Sequence, residues 1–98
     1  MNFPVIIRPE AEADLSEVKQ WYERQRQGLG LEFTLSVEEA LERIRRLPHV
    51  HAELYKGVRR APTRRFPYGV YYRVVGDSVV VIAVMHSRRD PRRWQERA

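Results

Sequence analysis

His86 closes the most apolar run of the chain, "SVVVIAVMH", and is followed at once by "SRRDPRRW". Upstream lies "GVRRAPTRRF". Four arginine pairs (Arg59-Arg60, Arg64-Arg65, Arg88-Arg89 and Arg92-Arg93) therefore share one half of the sequence with a strand-end histidine. These residue types suit phosphate chemistry. Metal-independent RNA cleavage needs a base for the 2′-OH, a cation for the charge on the phosphorane, and an acid for the leaving 5′-oxygen. Histidine suits the first or last role near neutral pH. Arginine suits the middle one through its bidentate fork. On this reading His86 is the acid or base. Arg59 and Arg65 share a strand parity and grip phosphate with Arg73, and Tyr71 or Tyr72 stacks a base or donates a proton. Blander roles exist for each residue. A lone histidine at a strand end is more often a hydrogen-bonded structural group, and arginine pairs protect strand edges from aggregation. His49 and His51, in the loop after Pro48, share no helix face with His86. The spacing offers no metal-site pattern, so neither metal nor cofactor is expected.

Bulk properties narrow the setting. Ninety-eight residues make a single domain, 1–98, with room for one modest core. There is no cysteine, hence no disulfide framework and no thiolate metal site. The opening "MNFPVIIRPE" is too short an apolar stretch for a signal peptide, and no run approaches a membrane span. A soluble cytoplasmic protein with no membrane partner is expected. The net charge of +5 hides an asymmetry. Residues 49–98 carry eleven basic and four acidic side chains, net +7, whereas residues 1–48 are net −2. Such a field attracts polyanions or acidic protein surfaces.

The elements that must position these residues follow from periodicity. "FPVIIR" reads as a short strand. Pro9 opens a helix with Glu10, Glu12 and Asp14 in its first turns. Ala11, Leu15, Val18 and Tyr22 form its apolar stripe, Trp21 widens it, and Gly28 and Gly30 end it. A second helix from Leu29 or Leu31 to Leu47 carries a stripe of Phe33, Val37, Leu41, Ile44 and Leu47, flanked by Leu35 and Ala40, and Pro48 stops it. The two make an antiparallel hairpin. Beyond it the period changes to two. Tyr55 to Arg65 reads as one strand, interrupted by Pro62. Tyr68 to Val75 and Ser78 to His86 pair across Gly76-Asp77, a type II′ loop. In the last strand Val80, Ile82, Val84 and His86 share one face, and Val79, Val81, Ala83 and Met85 the other. Asp90-Pro91 starts a short helix with Trp94. The order β-α-α-β-β-β predicts an α+β fold: a helical hairpin on one face of a twisted antiparallel sheet, the other face or its rim left to the arginines.

This order, carried by "PEAEADLSEVKQWYE", "LPHV", "GVRRAPTRRFPYGVYYRV" and "VVVIAVMHSRRDPRRW", resembles the RelE/ParE toxins of type II toxin–antitoxin modules. The resemblance covers almost the whole chain. It implies a growth-arresting toxin neutralised by a cognate antitoxin, an acidic segment that folds on binding. Operator DNA would be met only through the antitoxin complex. The family divides by target. RelE-like members cut messenger RNA on the ribosome; ParE-like members, which act in plasmid stabilisation, inhibit DNA gyrase and are not hydrolases. The ending "VMHSRRDPRRW" looks more like ParE-type C-termini, and the lysine-rich loop of RelE is missing, since only Lys19 and Lys56 occur. The resemblance thus implies gyrase inhibition, with Arg88, Arg89, Arg92, Arg93 and Trp94 as target contacts. The alternative is a ribosome-dependent endoribonuclease with His86, Arg59, Arg65 and Tyr71 as its site. A third is a degenerate member that binds only its antitoxin and operator. Trp21, Tyr22 and Leu29 are candidate antitoxin contacts, though core packing accounts for each of them as well.

Overall fold

The computed structural model describes residues 2–98. A short strand β1 (Val5–Ile7) leads into helices α1 (Pro9–Gln25) and α2 (Leu29–Arg46). Pro9 sits in the first turn of α1 with Glu10 and Glu12, where no N–H is needed and negative charge meets the positive helix end. The hairpin between the helices is pinned by Glu23. Its carboxylate accepts the backbone N–H groups of Gly28 and Gly30, each at 3.0 Å. Gly28 takes a left-handed φ of 89°, and a Cβ on Gly30 would lie 2.8 Å from the Lys19 carbonyl. Gly28 therefore serves the turn, whereas Gly30, expected to end α1, lies in the first turn of α2 and is required by the close approach of the helices. Most of the expected stripe of α2 faces inward: Phe33, Val37, Ala40, Leu41 and Ile44 are buried, but Leu47, past the helix end at Arg46, and Leu35 are exposed.

Four strands follow rather than three. The expected strand Tyr55–Arg65 is a hairpin, β2 (Glu53–Tyr55) and β3 (Val58–Pro62), turning at Lys56 and Gly57. Both turn residues have positive φ, the I′ signature whose twist matches that of the flanking strands. A lysine in the left-handed region masks that turn in the sequence. β4 (Tyr68–Val75) and β5 (Ser78–His86) form the central hairpin, with Gly76 at φ 61° as the two-residue loop requires. The sheet order is β1-β5-β4-β3-β2. β1 runs parallel to β5 and the other pairs are antiparallel. The α+β architecture, a helical hairpin on a sheet, is as expected; the sheet is mixed rather than wholly antiparallel.

One bulge decides which way His86 points. Tyr72 opposes Val81, yet its neighbour Tyr71 opposes Ala83, leaving Ile82 as the extra residue. The expected alternation of β5 therefore breaks. Val79, Val81 and Val84 join the core under the helices. Ile82, Ala83 and Met85 turn to the opposite face. That opposite face is not a free arginine surface. It holds a second small core of Val58, Tyr71, Ile82, Ala83 and Met85, closed by Trp94 of helix α3 (Arg92–Gln95). Trp94 stacks on Tyr71 with ring centroids 4.8 Å apart.

The C-terminal segment is also tied to α1. β1 covers only Val79 to Val81 of β5. Beyond it, Asp14 Oδ2 accepts the Val84 N–H at 3.0 Å, and Arg97 donates to the Ile82 carbonyl at 3.1 Å. Asp14 and Arg97 pair with each other at 2.7 Å and 3.2 Å. Side chains thus replace a missing neighbour strand and satisfy an edge that would otherwise be open.

Candidate functional site

His86 stands at the helix-facing end of β5, opposite Tyr68. Without the bulge, the two-residue turn would pair Tyr68 with Met85 instead. The rings meet edge to face at 5.3 Å. His86 Nδ1 accepts the backbone N–H of Arg88 at 3.0 Å, so Nε2 is left as the donor. Both residues line a cavity of about 390 Å³ between α1 and the end of β5, together with Trp21, Tyr22, Arg24 and Arg89. Trp21 is 49% exposed and touches Tyr22 edge to face at 5.1 Å. The Tyr22 and Tyr68 rings meet edge to face at 6.1 Å. Burial raises the pKa of both.

The other proposed nuclease groups do not join His86. Arg59 opposes Tyr72, four residues along β4 from Tyr68, or about 13 Å at ~3.3 Å per residue. Its guanidinium holds the 49–53 loop through the carbonyls of His49 and His51 and the carboxylate of Glu53. Arg65 lies in the β3–β4 loop with a left-handed φ of 71° and pairs with Glu32 of α2 at 2.8 Å. Tyr71 is buried on the far face, where its hydroxyl accepts from Arg60 Nε at 3.2 Å. Arg73 donates twice to the Lys56 carbonyl and braces the β2–β3 turn. Tyr72 is fully buried and donates to the Pro48 carbonyl at 2.8 Å. Desolvation pushes its pKa up to about 12. Among the described residues, no group of three or more histidines, cysteines or carboxylates could hold a metal ion.

The C-terminal arginines separate into two kinds. Arg88, Arg89 and Arg93 are exposed, and among the described residues none has an ion-pair partner in the chain. Arg92 is locked to Asp90 at 2.6 Å, which lowers the Asp90 pKa to about 2. Trp94, expected as a surface contact, is only 5% exposed. It is buried because it covers the outward ring of Tyr71, on which it stacks. Of the three residues expected to meet an antitoxin, Trp21 is on the surface, while Tyr22 and Leu29 pack against the main core. Tyr22 reaches Phe33, Phe66 and Tyr68 at 5.0 to 6.1 Å. Sequence reasoning missed Tyr68 and Arg24 as companions of His86. Only the bulged register and the α1 face bring them there.

A family model described as the ParE toxin of type II toxin–antitoxin systems (parDE) matches residues 5–91. The chain belongs to the ParE toxin family. Among solved structures, one chain of the chromosomal ParDE system from P. aeruginosa is similar at a TM-score of 0.76 and 18% identity, covering 86% of this chain and 95% of that one. The RelBE2 toxin–antitoxin complex from Mycobacterium tuberculosis gives 0.65 and 24%, covering 88% and 99%. At such identities the likeness is one of fold. No curated protein matches the sequence. As a ParE-family toxin, the chain has a helical hairpin on a five-stranded mixed sheet, with an aromatic cavity at one end and unpaired arginines beside it. No helix among its described residues is long and apolar enough to cross a membrane.

Proposed function

We propose that this toxin arrests growth in the cytoplasm by binding DNA gyrase, without catalysis of its own, and that a cognate antitoxin neutralises it. The observation that carries this reading is the dispersal of the nuclease groups. His86, Arg59, Arg65 and Tyr71 stand apart from one another, Tyr71 on the opposite face of the sheet, and Arg59 and Arg73 are engaged in bracing loops. Phosphoryl transfer needs its base and cation within about 3 Å of the reacting atoms. A binding surface has no such requirement. Among the described residues Arg88, Arg89 and Arg93 have no ion-pair partner, and these exposed cations suit an acidic protein patch or DNA phosphate. Trp94 then acts as the anchor that presents them, not as a contact. An antitoxin partner is favoured by the likeness to chains solved in toxin–antitoxin complexes. Operator DNA would be reached through that complex.

The alternative, ribosome-dependent cleavage of messenger RNA, draws on one observation: His86, Tyr68 and Arg89 line the same cavity. Induced expression in a bacterial host separates the two. The gyrase reading expects growth arrest with a DNA-damage reporter switched on and transcripts intact. Arrest with discrete cuts inside open reading frames, mapped by primer extension, would overturn it.

A further inference from the structure

The cavity beside His86 has a chemistry of its own. Its walls are aromatic: Trp21, Tyr22, Tyr68 and His86. Its polar capacity is mostly to donate, from Arg24, from Arg89 and from His86 Nε2–H, since Nδ1 is already occupied. Two carboxylates also reach it. Asp14 is consumed by Arg97 and the Val84 N–H, so only Glu17 opposes the two arginines. The volume, about 390 Å³, lies at the low end of the range for ligand sites, roughly 300–1,000 Å³. It suits one large side chain and a neighbouring group rather than an entire helix.

We infer that this cavity is the anchor point for an acidic segment of a partner protein: a Phe, Trp or Leu side chain enters between Trp21 and Tyr68, and an adjacent Asp or Glu carboxylate pairs with Arg24 or Arg89. The inference rests on the reading that a protein partner neutralises the toxin, and it names the chemistry of that contact. Charge selects this cavity over the groove between α1 and α2. That groove has an apolar floor of Leu15, Val37 and Leu41, but its rim carries Glu12 and Glu38 against Lys19 alone and would repel an acidic segment. An aromatic or aliphatic anchor in a desolvated pocket with a charged rim is the usual form of an interface hot spot.

The chain supplies its own reporter. It has two tryptophans. Trp94 is 5% exposed and Trp21 is 49% exposed, so a change in emission on binding reads Trp21. A random heptapeptide display library is selected on the purified chain and depleted on an Arg24→Glu, Arg89→Glu double variant, whose substitutions sit on exposed side chains. The expected winners carry Phe, Trp or Leu with Asp or Glu within three positions. A synthetic winner should shift Trp21 emission to the blue and bind the double variant about tenfold more weakly or worse. Replacing its acids with lysine should abolish binding. Basic or purely apolar winners, no enrichment, or binding that neither moves Trp21 nor weakens in the variant would each overturn the inference. So would an oligothymidylate that shifts Trp21 and displaces the peptide. None of these readouts involves gyrase, so failure here is separate from failure of the proposed target.

Discussion

Asp14→Ala should be among the most destabilising single changes outside the apolar core, because one carboxylate serves three donors on two elements. Oδ2 accepts the Val84 N–H at 3.0 Å and Arg97 at 2.7 Å, and Oδ1 accepts Arg97 at 3.2 Å. The side chains are 16% and 23% exposed, so water replaces these bonds only in part. Hydrogen bonds to a charged partner are worth about 1.5–3 kcal/mol each, and an orphaned buried N–H adds its own cost. Allowing for partial exposure and relaxation, a loss of about 3 kcal/mol is expected, which at ~4–8 °C per kcal/mol in a domain of this size lowers Tm by roughly 12–24 °C. Arg97→Ala should cost somewhat less, since Asp14 keeps the Val84 N–H. The double variant should be little worse than Asp14→Ala alone, with a coupling of about 1–3 kcal/mol in a cycle measured by urea denaturation. Additive losses, or a loss under about 0.5 kcal/mol for Asp14→Ala, a value usual for surface changes, would refute the idea that this pair stands in for a missing edge strand.

Three further outcomes follow from the packing. Trp94→Ala should cost about 3–5 kcal/mol by emptying the second core; thermal denaturation tests this, and an unchanged Tm would contradict that packing. Gly30→Ala should cost about 1–3 kcal/mol, since its Cβ meets the Lys19 carbonyl and the helices must part; a Tm within 2 °C of the parent, against ~4–8 °C per kcal/mol, would contradict that close approach. His51 gives a pH dependence. Burial first, then Arg43 and Arg59, lowers its pKa below the ordinary 6.5, and its Nε2 is buried without a hydrogen-bond partner among the described residues. The neutral ring is thus the native form. Its contribution is complete above pH 6.5 and is lost as pH falls through the lower native value. His51→Gln should flatten the fall in stability between about pH 7 and 5, and an unchanged slope would count against it.

The sequence is most legible where one period runs unbroken. The inward stripe of α2 as far as Ile44, the proline boundaries at Pro9 and Pro48, and the Gly76-Asp77 turn stand where the pattern puts them, whereas Gly30 lies inside α2 and Leu35 and Leu47 are exposed. Legibility fails at local exceptions. Lys56 in a left-handed turn looks like strand, so β2 and β3 read as one element. Ile82 as a bulge residue reverses the parity of the second half of β5, and with it the surroundings of His86. Trp94 reads as a polar-tail contact because its cover, Tyr71 and Met85, comes from strands read as facing arginines. Arg59 and Arg65 of the proposed nuclease set shared a parity on paper. Parity fixes a face, however, not a position along the strand, and about four residues of offset keep Arg59 from His86.

Gyrase supercoiling by purified toxin tests the central claim most directly. Relaxed plasmid, gyrase and ATP are titrated with the folded chain, and then with Arg88→Glu, Arg89→Glu, Arg93→Glu as a triple variant. The account predicts loss of supercoiling with cleaved DNA accumulating, and recovery of supercoiling when the three unpaired arginines are reversed. Full supercoiling at micromolar concentrations of a preparation that still arrests growth would contradict it and turn attention to His86 and the ribosome.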